Sequence, residues 1–185
     1  QRLSTSLDPD DVVELFLGGV AEILEADVAS LYTFEEEGEL VVGRKRMVFR
    51  QIEGVTDRFA REDIRQIRAP IALLPQLAEP VSSGEPYITG GGHETALATA
   101  TAGSEASSTV SVPLMIAGHT VGVATWEVYG SPRRFSSALV AFAQALAAPA
   151  AAALRTAELF SSLEEERLRA SWEAVRFAAV LDQMA

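Results

Sequence analysis

The sequence contains no cysteine and no asparagine, and its only lysine is Lys45. The absence of cysteine excludes a disulfide framework, cysteine-ligated zinc, a catalytic thiol and thioether attachment of a cofactor. Positive charge is also scarce, because 15 basic residues stand against 26 acidic ones and give a net charge of −11. Since binding to nucleic-acid phosphates requires clustered basic side chains, we expect no nucleic-acid partner.

Long apolar runs are also missing. The longest run, residues 138–154, is rich in alanine and is interrupted by Gln144 and Pro149. It is shorter than the roughly 20 residues that a membrane-spanning helix needs, and no basic segment precedes an apolar stretch near the start. We therefore expect no membrane partner, no signal peptide and a cytoplasmic location. Because the sequence begins with Gln1 rather than Met, we also expect it to be a segment of a longer protein.

The 185 residues suit one domain with its own core. Helical spacing of apolar residues follows Asp8–Asp11, and strand-like alternation covers residues 28–35, 39–49, 86–89, 109–115 and 120–129. Residues 55–67 predict a polar helix, and a long helix starts at Phe135–Ser137. Adjacent strands with helices at both ends predict an α+β fold. We expect an antiparallel sheet of about five to six strands, with the N- and C-terminal helices packed on one face.

Catalytic motifs are absent. The chain has no Gly-x-Ser-x-Gly, no phosphate-binding glycine loop followed by Lys, and no His-Glu-x-x-His. Glu35–Glu37 and Glu164–Glu166 are interpreted as solvated charge, since consecutive residues do not share a face. Arg44–Arg46 with Arg50 is either an anion site or a polar strand edge. We expect no enzyme activity, no catalytic residues and no metal site.

The final helix carries a seven-residue repeat. One track is Leu163, Ala170, Phe177 and Met184, and the other is Leu146, Ala153, Phe160, Arg167, Ala174 and Leu181. Such a stripe predicts an adjustable coiled coil and a parallel homodimer, although a single helix that frays at its end is the alternative. The predicted division is residues 1–160 for the globular domain and 161–185 for a signalling and dimerisation helix.

Several blocks resemble the GAF domain family. They are SSTVSVPLMIAGHTVGVATWEV at residues 107–128, RFS at 134–136, AALRTAELF at 152–160 and PVSSGEPYI at 80–88. The resemblance covers roughly residues 8–160. It implies a small-ligand cavity between the sheet and its loops, lined by Tyr32, Phe49, Tyr87, Trp126 and the low-complexity stretch 90–108. The alternative is that these aromatic residues fill a packed core.

His93 is the most ligand-like side chain, since it follows three glycines and imidazole can bind haem iron. By resemblance, some GAF-like sensors hold haem through one loop histidine, whereas the alternative is a solvated histidine. The family's covalent bilin attachment and its methionine-sulfoxide reductase activity both need cysteine. Its cyclic-nucleotide signature needs Asn-Lys, which this sequence lacks, so the resemblance argues against cyclic GMP. The identity of any cofactor stays open.

Residues 175–185, VRFAAVLDQMA, resemble the lead-in segment of PAS sensor domains. Together the resemblances imply a sensory or regulatory GAF module of a larger bacterial signalling protein, with a histidine kinase as the expected whole. A small ligand or the dimer state would be relayed through the C-terminal helix to a covalently linked output domain outside this chain. Two alternatives stay open: a ligand-free dimerisation module, and the effector-binding domain of a transcriptional regulator.

Overall fold

The computed structural model describes residues 9–35, 38–90 and 106–183. Among these residues the helices are α1 Pro9–Leu24, α2 Thr56–Arg61, α3 Pro75–Ser83 and α4 Ser137–Gln183. The strands are β1 Val28–Glu35, β2 Leu40–Val48, β3 Arg68–Pro70, β4 Tyr87–Thr89, β5 Ser108–Ile116 and β6 His119–Val128. Two short 3-10 helices, Ile64–Gln66 and Ile71–Leu73, flank β3.

The six strands form one sheet in the order β3-β2-β1-β6-β5-β4, and every neighbouring pair is antiparallel. The consecutive strands β1–β2 and β5–β6 form two hairpins, and the predicted α+β antiparallel sheet is confirmed. Positive φ angles at Ala117 and Gly118 make the tight β5–β6 turn that the Gly118-His119 pair predicts.

The main core lies on the face of the sheet that α1 and α4 cover, called here the helix side. Inward side chains of β1, β5 and β6 meet apolar residues of both helices in one buried cluster. Trp126 is its largest member; it is fully buried and meets Phe16 edge-on, with ring centroids 5.3 Å apart. This packing fixes the two terminal helices on one face, where amphipathic periodicity placed them.

A smaller cluster covers part of the opposite face, called here the loop side. Val41, Leu74, Leu77 and Val123 are buried there, with Tyr32 and Phe34 packed against them. The helix α3 therefore closes one end of the loop side. The rest of this face carries polar side chains, which are described below.

Strand β3 and the 3-10 helix before it were not predicted. Residues 55–67 form the short helix α2 and a 3-10 turn instead of one continuous helix. Gly43 permits the turn to approach β2, because an added Cβ would lie only 2.2 Å from the Ile64 carbonyl oxygen. The Gly43 N–H also donates to the Ile67 carbonyl, 3.2 Å away, just before β3 begins.

Asp27 joins three parts of the fold although only 2% of it is exposed. Its carboxylate accepts the Tyr129 backbone N–H at 2.8 Å and two contacts from the Arg50 guanidinium, at 2.6 and 2.8 Å. The Asp27 carbonyl accepts the Phe49 N–H at 2.8 Å. This residue therefore ties the start of β1 to the ends of β2 and β6.

Helix α4 runs without interruption from Ser137 to Gln183 and includes Pro149. Its first half packs on the helix side through Val140, Ala143, Ala147 and Leu154. By length and composition alone, its segment Ser137–Trp172 is apolar enough to cross a membrane, a criterion that the core helix of a soluble protein also meets. In the most apolar 18-residue stretch of this segment, 33% of the residues are buried in the fold.

Some sequence predictions fall outside the described residues. They are His93, most of the stretch 90–108, and the end of the segment that resembles a PAS lead-in, at Met184 and Ala185. The remainder of that segment, through Gln183, continues α4 as helical backbone.

Candidate functional site

A row of polar residues crosses the loop side of the sheet. The strand register pairs Ser111 of β5 with Thr125 of β6, Thr125 with Ser30 of β1, and Ser30 with Arg46 of β2. Directly opposed residues of antiparallel strands point to the same face, with Cβ atoms about 5 Å apart. These four residues, one per strand, are called the polar row.

Three atoms of the polar row are buried without a hydrogen-bond partner among the described residues. They are Ser111 Oγ, Thr125 Oγ1 and Arg46 Nη1. Ser111 is 0% exposed and Thr125 is 2% exposed. Buried polar atoms are normally paired, and leaving one unpaired costs about 1–3 kcal/mol. Three such atoms in one row therefore mark a place where the protein lacks partners that a bound molecule can supply.

Arg46 is held in place by its neighbours. Its guanidinium carbon lies 4.1 Å from the centroid of the Phe59 ring on α2, a cation–π distance. Its Nε donates a long hydrogen bond of 3.4 Å to Ser30 Oγ. Phe59 in turn packs edge-on against Tyr129, with centroids 6.5 Å apart. The guanidinium is thus oriented while Nη1 stays unpaired.

Tyr32 lies next to the polar row on β1. Burial raises the pKa of its phenol, the nearby Glu127 carboxylate adds to the rise, and Arg46 opposes it. Its hydroxyl takes part in hydrogen bonds with Arg46 and Ser30. Glu127 accepts a 2.8 Å hydrogen bond from the Tyr129 hydroxyl. The site therefore combines one cation, one anion and a neutral phenol that can donate a proton or accept one in a hydrogen bond.

Tyr87 extends the same face onto the edge strand β4, where it pairs with Ser111. Burial raises the pKa of its phenol, and Glu79 of α3 adds to the rise. Both tyrosines are therefore uncharged near neutral pH.

A cavity of about 320 Å³ opens beside Arg46, at the small end of the range for ligand pockets. It is lined by Arg46, Val48, Gln51, Thr56, Phe59, Glu62, Asp63 and Ile64. Two larger depressions are also present. One of about 790 Å³ separates the start of α1 from α4 and β2 and is also lined by Arg46, and one of about 610 Å³ contains the exposed residue His119. None of the three includes Ser111 or Thr125 among its described lining residues, so Arg46 is the member of the polar row that faces a cavity.

The structure brings together only two of the five predicted pocket residues. Tyr32 and Tyr87 lie on the loop side, beside the polar row. Trp126 lies on the helix side, where its indole N–H donates to the Leu17 carbonyl at 3.0 Å, so it belongs to the core. Phe49 follows β2 and lines a depression near Asp27 and Arg133, away from Tyr32. His93 lies outside the described residues.

The basic cluster at 44–46 and Arg50 is not a single patch. Arg44 donates to Thr33, Lys45 pairs with Glu14 of α1, Arg46 joins the polar row and Arg50 pairs with Asp27. A bulge between Leu31 and Tyr32 in the β1–β2 register sends neighbouring side chains in different directions. Within residues 9–35, 38–90 and 106–183, no group of three His, Cys, Asp or Glu side chains could hold a metal ion.

Sequence reasoning missed Ser30, Ser111 and Thr125. Each one alternates with core residues along a strand, so alternation predicts only that it points away from the main core. Hydroxyl residues are ordinary on solvated strand faces, and only the register shows that these three share one buried line. One sequence signal could have found them: each of three predicted strands carries a hydroxyl residue at a position that points away from the main core.

The family model described as GAF domain matches residues 6–155 of this chain. No protein of curated function matches the chain. Among solved structures, the GAF domain/HD domain protein from Geobacter sulfurreducens is similar, with a TM-score of 0.66 at 15% identity. The alignment covers 86% of this chain and 99% of that one.

Two further similar structures come from signalling proteins. Residues 122 to 287 of a methyl-accepting chemotaxis protein align with a TM-score of 0.62 at 16% identity, over 84% of this chain and 93% of that one. A domain of a proposed two-component sensor histidine kinase from Sinorhizobium meliloti 1021 aligns with a TM-score of 0.55 at 18% identity. That alignment covers 87% of this chain and 99% of the other. At these identities the likeness shows a shared fold.

Proposed function

Because the chain belongs to the GAF domain family, we propose that it is the sensory module of a larger bacterial signalling protein, a histidine kinase or a related multi-domain regulator. The module binds a small molecule on the loop side and relays its presence through α4. The observation that carries this proposal is the polar row, with three buried atoms that have no partner among the described residues. Similar folds in a chemotaxis protein and a sensor kinase support the signalling context.

In this proposal one face of the sheet binds the ligand and the other face carries the helices that relay the signal. The loop side presents the polar row, while β1, β5 and β6 carry core side chains on the helix side against α1 and α4. A ligand that pairs with Thr125 or Ser111 therefore contacts the same strands on which the helices rest. A ligand that moves these strands would also move α1 and α4. The ligand site and the helices would then be coupled through two alternative arrangements of the sheet. We assign no catalytic step to this module and place it in the cytoplasm.

We propose that α4 pairs with α4 of a second copy as a coiled coil. A line of exposed residues with alternating spacings of three and four runs along the helix: Phe142, Ala145, Pro149, Ala152, Thr156, Leu159, Leu163, Glu166 and Ala170. Leu159 and Leu163 are 56% and 65% exposed. Such spacing is that of a coiled-coil seam. We call this line the α4 seam.

The α4 seam includes only one of the two tracks predicted from sequence. The track of Leu163 and Ala170 continues backwards through Thr156, Pro149 and Phe142, which are all exposed. The other track starts at Leu146, which packs against the domain's own core. Helix α4 thus uses one face for the fold and offers another to a partner, and a PAS-type domain after the helix would receive the signal in this proposal.

A thermal-shift screen tests the sensory role. Nucleotides, amino acids, organic acids and haem would be compared on the whole chain and on Ser111→Val, which adds volume at the polar row. A ligand at 100 times its Kd stabilises by about 2.7 kcal/mol, which corresponds to a melting-temperature rise of about 5–10 °C. The expected hit raises the melting temperature of the parent and of the exposed control Ser131→Val, but not that of Ser111→Val. If no class gives a shift, the ligand-free dimerisation module is the better account.

A further inference from the structure

The charge at the polar row indicates which class of ligand the site takes, an inference that rests on the proposed sensory function. Five described cations already contact a carboxylate: Lys45, Arg50, Arg65, Arg68 and Arg133. Arg46 contacts none among the described residues, although the chain carries 26 acidic side chains. A buried guanidinium N–H without an acceptor is costly, so the fold keeps Arg46 there at the expense of stability.

The atoms around Arg46 are suited to an oxyanion. The guanidinium offers Nη1–H. The hydroxyls of Thr125 and Ser111, two and three strands away on the same face, can donate because neither has a partner among the described residues. Ser30, between Arg46 and Thr125 in the register, is contacted by Arg46 Nε at a long 3.4 Å and by the Tyr32 hydroxyl. Charge-assisted hydrogen bonds from a guanidinium to a carboxylate are short, directional and stronger than neutral ones.

The surrounding charges favour one negative charge over two. Glu127 lies two residues along β6 from Thr125 and on the same face, with Glu127 paired to Val28 and Thr125 to Ser30. The field of Glu127 is felt at Tyr32, where it raises the pKa of the phenol. A single Arg46 can neutralise a carboxylate, whereas a phosphate dianion would leave one charge uncompensated beside Glu127. The Phe59 ring lies against the face of the Arg46 guanidinium. This contact orients the guanidinium and leaves Nη1, at its edge, available to a ligand.

We propose that Arg46, with the hydroxyls of Ser30 and Thr125, binds the carboxylate group of a small organic acid. The carboxylate accepts from Arg46 Nη1 and from these hydroxyls, while a polar group elsewhere in the molecule pairs with Ser111, which lies three strands from Arg46 in the register. Tyr32, next to Ser30 along β1, and Tyr87, beyond Ser111 on β4, contact the remainder of the molecule.

An NMR titration of the whole ¹⁵N-labelled chain tests the proposal. The probes are acetate, its uncharged isostere acetamide, and inorganic phosphate, each added to 100 mM at constant ionic strength. Acetate is expected to cause saturable shifts at Arg46 Nε–H and at the backbone amides of Ser30 and Thr125, with a Kd at least tenfold lower than that of acetamide. Arg46→Gln should weaken acetate binding at least tenfold, and Arg46→Lys should weaken it less.

Arg44→Gln is the matched control, because Arg44 lies two residues away on β2 and donates to Thr33 instead. It should retain the parent affinity within twofold, and the spectra report whether each variant is folded. Acetate without saturable shifts, or with shifts that survive Arg46→Gln, overturns the proposal. Tighter Arg46-dependent binding of phosphate overturns the choice of a carboxylate. Equal binding of acetate and acetamide at the row also overturns it, but leaves the sensory function standing.

Discussion

The indole N–H of Trp126 donates a 3.0 Å hydrogen bond to the main-chain carbonyl of Leu17, 109 residues earlier in the chain. The bond joins β6 to α1 inside the main core, where both residues are 0% exposed. It fixes the rotation of α1 on the sheet, because a helix that turned about its axis would leave a buried donor unpaired. Helix α1 is thus attached to β6, the strand that carries Thr125 of the polar row on its other face.

Replacement of Trp126 by Phe should destabilise the domain by about 2–4 kcal/mol. The change removes the donor to Leu17 and leaves a cavity beside Phe16. Urea unfolding followed by circular dichroism measures the loss. The control is Trp172→Phe. Because Trp172 is 73% exposed, this variant should unfold at the same urea concentration as the parent. Equal effects of the two substitutions would contradict the assignment of Trp126 to the core.

Thr125→Val should stabilise the ligand-free chain. Valine has nearly the same shape, and the substitution removes a buried hydroxyl that has no partner among the described residues. The expected gain is about 1 kcal/mol, or a rise of about 2–4 °C in melting temperature. Thr33→Val is the matched control on the helix side. Thr33 is also buried, but it accepts a 2.6 Å hydrogen bond from Arg44, so its loss should lower the melting temperature. A lower melting temperature for Thr125→Val would show that its hydroxyl is already paired.

Asp27→Ala should cost about 1–3 kcal/mol, because it leaves the buried Tyr129 N–H without its acceptor, whereas water can solvate the Arg50 guanidinium, which is 62% exposed. Calorimetry of the variant measures the effect. Glu14→Ala is the control, since Glu14 pairs with Lys45 at the surface, where an ion pair contributes less than about 1 kcal/mol. A loss for Asp27→Ala as small as for Glu14→Ala would mean that the buried carboxylate does not hold the strand ends together.

Leu163→Glu should separate the dimer that we propose, because it places a charge on the α4 seam. Leu168→Glu is the control, since Leu168 is similarly exposed, at 61%, but lies off the α4 seam. Sedimentation velocity at several protein concentrations should give a smaller particle for Leu163→Glu only. If both variants sediment like the parent, α4 is not the contact.

The periodicity of the sequence predicted the sheet and its helices because these elements bury apolar residues at regular intervals. The bounds of β1, at residues 28–35, follow directly from alternation. Strand β3 has three residues and includes Pro70, so it carries no alternating pattern. It forms because its backbone pairs with β2, which is a tertiary contact that no local window shows.

The location of Trp126 shows what alternation alone cannot predict, namely which faces of two strands coincide in the sheet. The pattern of β6 correctly set Trp126 and Ala124 on one face and Val123 and Thr125 on the other. It could not say which of these faces coincides with that of Tyr32 on β1, because that depends on the register. The structure pairs Tyr32 with Val123, so Trp126 lies on the opposite side from Tyr32. The same register assembles the polar row from residues that look ordinary in the sequence.

We propose that two copies of this domain pair along α4. Light scattering during gel filtration of the intact chain measures the mass of the particle independently of its shape. A pair has a mass of about 39.6 kDa, twice the chain mass of 19.8 kDa, and this is the expected result. A mass of 19.8 kDa at every concentration would contradict it.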